Sequence, residues 1–143
     1  MKIMAVDYGD ARTGLAACDR TETIASPLGV LHERVFANVV AMVANAVEEY
    51  EIKEVIVGHP LNMNGSEGPR AKLCQEFAKN LAKLVAPVPV KLWDERGTTV
   101  SATRYLNETD TKGQKRKDVI DEVAATIILE SYLNYRRNHP EEV

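Results

Sequence analysis

A chain of 143 residues, 45% hydrophobic and 27% charged, has the size of one domain and the composition of an ordinary globule, which excludes a disordered tail, a fibre and a membrane-embedded protein. Its net charge of −3 argues against a protein that coats nucleic acid through a broad basic surface. Cys18 and Cys74 lack the spacing of a zinc site or a disulfide framework. No stretch approaches the roughly 18 apolar residues of a membrane span, and Met-Lys-Ile-Met-Ala-Val-Asp at the start carries no long apolar signal core, so a cytoplasmic protein with no membrane partner is expected.

Residues 2–7 form a short apolar run ending in Asp7, with Tyr8-Gly9-Asp10 as a turn, and read as a first strand. Residues 13–18 and 24–31 read as two more, separated by Asp19, Arg20 and Thr21, which suggests an antiparallel meander. From Phe36 to Tyr50, apolar residues at Phe36, Val39, Val40, Val43, Ala46 and Val47 recur at helical spacing. Val55-Ile56-Val57-Gly58 reads as a buried strand opening into a loop that runs to about Arg70. Leu73, Phe77, Leu81 and Leu84 mark a helix that Pro87 and Pro89 stop, and residues 88–93 form a fifth strand. A short helix is expected over 98–106, a polar basic loop over 107–116, and a long helix over 119–135. The expected fold is α/β, a mixed five-stranded sheet of three antiparallel leading strands and two further strands, flanked by helices, in one domain over residues 1–143.

Acids recur at the ends of these elements. Asp7 leaves a hydrophobic strand beside a glycine, where its carboxylate can either bind a metal ion or cap the turn. Trp93-Asp94-Glu95-Arg96 lies at another strand end, and alternation sends Asp94 and Glu95 to opposite faces, so only one can join a site with Asp7. Asp118 and Asp121 share a face at the expected start of the last helix, where acids also complement the helix dipole. Such a set suits Mg²⁺ or Mn²⁺, which favour carboxylates, waters and phosphate oxygens. Arg12 supplies a forked cation close to Asp7, and the run Lys112, Lys115, Arg116 and Lys117 forms a local basic edge. The glycine-rich segment 58–68 permits close approach to a phosphate without the spacing of a nucleotide P-loop. His59 reads as a hydrogen-bonding loop residue. From the residues alone, the reading ends at metal-dependent phosphodiester cleavage.

Asp7-Tyr8-Gly9-x-x-Arg12-x-Gly14, Gly58-x-Pro60-x-x-x-x-Gly65, Asp94-Glu95-Arg96-x-Thr98-Thr99 and Asp121-x-x-Ala124-Ala125-x-x-Ile128-Leu129, in this order along nearly the whole chain, resemble the YqgF (RuvX-like) family. The resemblance implies an RNase H-like fold, kinship with Holliday junction resolvases and processing of the 5′ end of pre-16S rRNA. Carried over motif by motif, it implies Asp7, Glu95 and Asp121 as catalytic metal ligands, with Arg12 and Arg96 as phosphate contacts. The implied partners are structured RNA, branched DNA and ribosomal precursor particles, with a monomer and a weak homodimer both left open. Two rivals stand beside it. A phosphotransferase of the sugar kinase and actin type needs a second lobe for which this chain has no length. A non-catalytic nucleic-acid-binding module would use the 112–117 region, against which three uncompensated carboxylates would repel phosphate.

Overall fold

The computed structural model describes residues 1–94 and 113–140, with side chains in the last helix described from Ile120 onward. Its elements run β1 (Ile3–Asp7), β2 (Arg12–Cys18), β3 (Ala25–His32), α1 (Phe36–Glu49), β4 (Glu54–His59), α2 (Pro69–Val85), β5 (Val90–Asp94) and α3 (Gly113–Asn138). The five strands form one sheet in the order β3-β2-β1-β4-β5. The first three make the expected antiparallel meander, while β4 and β5 lie parallel to β1. Parallel neighbours need long crossovers, which α1 and α2 supply. The carboxyl ends of β1, β4 and β5 therefore share one edge of the sheet.

Side-chain parity divides the core. Met4 and Val6 on β1 and Tyr8 just beyond it, with Val55 and Val57 on β4, pack against α1 and α2 through Val39, Val43, Phe77 and Leu81. Ile3, Ala5, Ala16 and Ile56 pack against α3 through Ala125, Ile128, Leu129 and Tyr132. Alternation along a strand then puts Asp7, two residues beyond Ala5, on the α3 face. Each fully buried Ile, Leu or Phe stabilises this arrangement by roughly 1.5–3 kcal/mol. Pro69 stands at the first helical position of α2 after Gly68, where its missing N–H is no loss.

The last helix begins earlier than its apolar pattern predicts. Gly113 to Asn138 is one helix, so the basic loop expected over 107–116 is helical from Gly113, and Lys115, Arg116 and Lys117 lie on its first turns. Gln, Lys and Arg are good helix formers, but the sequence Gly-Gln-Lys-Arg-Lys-Asp over 113–118 carries no apolar side chain and so shows no apolar periodicity. The short helix expected over 98–106 lies outside the described residues.

At the sheet edge far from Asp7, buried Glu54 accepts a hydrogen bond from the Tyr132 hydroxyl. Lys91 Nζ lies 3.5 Å and Arg136 Nη1 3.8 Å from its carboxylate, and Arg136 Nε also pairs with Glu22 at 2.7 Å. This network ties the end of α3 to the sheet. Tyr132→Phe removes the one neutral side-chain donor to Glu54 seen among the described residues and leaves a buried carboxylate short of a partner, so it should lower unfolding free energy by about 1–3 kcal/mol in urea titration. An unchanged midpoint would show that the two cations already satisfy Glu54.

Candidate active site

Asp7 ends β1 half-buried, and its partner across the antiparallel ladder is Gly14. That glycine permits the site to form. A methyl group there would overlap the carbonyl oxygen of Asp121 and stand 2.7 Å from its carbon, so only a residue without a side chain lets α3 descend onto β2 at this level. Asp121 is thereby set beside Asp7. The small Ala124 and Ala125, both buried, continue the close approach one turn on. Gly9 plays a related part in the β1–β2 turn, where a Cβ would overlap the carbonyl oxygen of Arg12.

Arg12 Nε donates to Asp121 Oδ2 at 2.8 Å, joining residues 109 positions apart. With α3 starting at Gly113, Asp121 stands more than two turns into the helix. A helix dipole acts within the first turn, so the reading of Asp121 as an acid that complements that dipole is corrected.

Burial, and next the charge of Asp121, push the Asp7 carboxyl up from its ordinary 3.8 to about 7, while Arg70 pulls it down. Sequence reading missed Arg70. It lies at the second position of α2, donates through Nη2 to the Tyr8 carbonyl and through Nη1 to Asp10 Oδ1 at 2.6 Å, and stands 5.0 Å from the centroid of the Tyr8 ring. Tyr8 in turn stacks on Phe77 at 4.6 Å. A cation in the first turn of a helix opposes the dipole, and that local cost was the available signal that Arg70 is needed elsewhere. Arg70→Ala should loosen the Tyr8–Asp10 turn and let the Asp7 carboxyl rise further. Mn²⁺ binding, followed as a function of pH, should then need a higher pH and weaken roughly threefold or more at pH 7; an unshifted pH profile would assign Arg70 to packing alone.

The other expected residues divide as follows. Trp93 packs on α3, with its ring centroid 5.1 Å from that of Tyr132, so Asp94 alternates to the α2 side, away from Asp7. Glu95, Arg96 and Lys112 lie outside the described residues, as do the side chains of Lys115, Arg116, Lys117 and Asp118. His59, at the end of β4, has the parity of Val57 and faces the α2 side; its Nε2 lies 3.4 Å from Glu67 Oε2, closing the base of the 58–68 loop. Among the described residues, no three His, Cys, Asp or Glu side chains form a group able to hold a metal ion.

The pair Asp7 and Asp121 nevertheless fits a divalent cation. Two carboxylates are close enough to interact where water is partly excluded, and burial, then the charge of Asp121, raises the Asp7 carboxyl to about 7. Such a donor set is completed by positive charge, and hard oxygen ligands suit Mg²⁺ or Mn²⁺.

Comparison with known proteins agrees with this architecture. The model of the family described as "RuvX: Holliday junction resolvase" matches residues 1–135. A relative from Halothermothrix orenii, named "Putative pre-16S rRNA nuclease", is 45% identical over 136 residues, covering 95% of this chain and 96% of the relative. One of the same name from Streptomyces avermitilis is 43% identical, covering 94% of this chain and 86% of the relative. Among solved structures, Thermus thermophilus RuvC in complex with Holliday junction substrate superposes with a TM-score of 0.58 at 15% identity, over 96% of each chain. That likeness establishes the RNase H-like fold of the resolvases. With a family model matched along residues 1–135 and relatives this similar over nearly their whole length, the chain belongs to the RuvX family of nucleases.

Proposed function

We propose that residues 1–143 form one nuclease domain that hydrolyses phosphodiesters of structured RNA, processing the 5′ end of pre-16S rRNA in cytoplasmic ribosomal precursor particles. The observation that carries this reading is the placing of Asp7 beside Asp121 at the meeting of β1 and α3, where burial and the neighbouring charge push the Asp7 carboxyl up to about 7. The naming of the Halothermothrix orenii relative supports the choice of RNA. Asp7, Asp121 and Glu95 are the proposed ligands of Mg²⁺ or Mn²⁺; Glu95 has the sequence parity of Trp93, whose face is that of Asp7. Bound there, the cation would supply Lewis acidity at the phosphate and lower the pKa of water. Arg12 holds Asp121 in place, and Arg96, Lys112, Lys115, Arg116 and Lys117 are proposed to bind the backbone on either side, making affinity fall steeply with salt. Loss of the Asp7 proton precedes cation binding, so activity should rise with pH through about 7 when metal is limiting. A monomer suffices for this chemistry, and a weak homodimer is compatible with it.

A second reading is cleavage of branched DNA, favoured by the description of the family model. Purified protein with Mg²⁺ should cut a precursor 16S fragment to a 5′-phosphate and a 3′-hydroxyl, and cut a four-way DNA junction at least about tenfold more slowly. Faster cutting of the junction would transfer the assignment to DNA. Cutting of neither would leave only a binding role.

A further inference from the structure

A second cleft opens on the same edge of the sheet as Asp7, at the outer end of the β2–β3 hairpin. It has a volume of about 410 Å³ and is lined by Ala11, Arg12, His32, Glu33 and Arg34. Arg12 and His32 face each other across the antiparallel ladder, so their side chains rise from the same face of the sheet, the one that carries α3. The turn beyond is fixed by its backbone, with Glu33 N–H donating to the Ala11 carbonyl at 3.1 Å.

The charges in this cleft are not equally free. Glu33 Oε2 accepts from the backbone N–H groups of Arg34 and Val35, each at 3.0 Å, and these bonds hold its carboxyl below the usual range. Its charge is thereby anchored toward the entry of α1. Arg12 uses only Nε on Asp121; its two terminal nitrogens make no hydrogen bond among the described residues. The exposed Arg34 guanidinium likewise makes no ion pair among them. Two forked cations with free donors thus stand against one anchored carboxylate. A guanidinium fork matches the paired oxygens of a phosphate.

We propose that this cleft is a phosphate subsite, in which Arg34 and the terminal nitrogens of Arg12, flanked by His32, bind a backbone phosphodiester of the nucleic-acid strand away from the bond that is cut. The inference rests on the nuclease reading for its ligand, and it adds a register to that reading. Because Arg12 bonds Asp121 through Nε and the strand through its other nitrogens, the bound phosphate sits at a fixed offset from the acidic pair. A strand gripped there runs across β2 and β3, on the side of Asp7 opposite to β4 and β5.

The test is binding rather than turnover. Fluorescence anisotropy with a labelled RNA hairpin and a labelled four-way DNA junction, in Ca²⁺ and over about 50–200 mM KCl, gives an affinity and a salt slope for each variant. Arg34→Gln should weaken binding roughly three- to tenfold and reduce the slope of log affinity on log salt by about 0.7–0.9, the value for one lost phosphate contact. Arg34→Lys should keep most of the slope while losing the bidentate geometry. Arg20→Gln is the control, since Arg20 is 83% exposed beside Glu51 beyond the other end of β2; it should change neither quantity. A wild-type slope in Arg34→Gln, or an equal loss in Arg20→Gln, overturns the subsite while leaving the nuclease reading intact. Absence of salt-dependent binding in the unaltered protein overturns both.

Discussion

Asp7→Asn is expected to stabilise the metal-free protein at pH 8 and to abolish its cleavage of nucleic acid. The folded carboxyl titrates near 7 and the unfolded one near 3.8, so the folded state holds a proton that the unfolded state releases. A group raised in this way leaves stability intact below pH 4 and removes it progressively as pH climbs to 7 and beyond. At pH 8, the ionised Asp7 costs on the order of 2–4 kcal/mol, the upper figure being the full shift and the lower allowing for its partial exposure to water. Asparagine keeps the shape and carries no charge. The thermal midpoint of the variant should therefore exceed that of the parent by roughly 5–15 °C at pH 8, with the gap closing toward pH 4. Saturating Mg²⁺ should reverse the order, because a ligand that binds only the folded parent stabilises it by mass action. Cleavage should fall by about a thousandfold or more, as for loss of a principal electrostatic group. A variant less stable than the parent at pH 8 would show that Asp7 is a structural carboxylate already satisfied by its surroundings.

Gly14→Ala carries the second large effect. Its new methyl would meet the backbone of Asp121, with the carbonyl carbon at 2.7 Å; a backbone, unlike a flexible side chain, cannot rotate away. Either α3 lifts from β2 or the β1–β2 ladder shifts, at a cost of roughly 3 kcal/mol or more. Lifting α3 also withdraws Asp121 from Asp7. Stability and activity should therefore fall together, with a thermal midpoint lower by about 10 °C and cleavage reduced at least about tenfold. Separation of the two, with full activity in a destabilised protein, would mean that the position of Asp121 is not set by this contact.

The sheet was legible because its strands are short apolar runs closed by turn residues, and the parity of Ile3, Ala5 and Asp7 already places the acid on one face. Helices α1 and α2 were equally plain from their apolar spacing. Two kinds of feature escaped. The first turns of α3 are written in polar residues with no apolar spacing, so Asp121 was read as an acid of a helix start although it lies more than two turns in. Long-range polar contacts leave no local pattern. Nothing near Arg70 announces Asp10 and Tyr8, some 60 residues away, and nothing near Glu54 announces Tyr132. The resemblance to the RuvX-like family carried the choice of Glu95 over Asp94. Parity agrees in turning Asp94 away from Asp7.

The central claim is that Asp7 and Asp121 share one divalent cation. Mn²⁺ titration followed by electron paramagnetic resonance at pH 8, on the unaltered protein and on Asp7→Asn and Asp121→Asn, measures that sharing directly. Saturable binding that each substitution weakens by at least about tenfold is the predicted result. Parental affinity in either variant would contradict it.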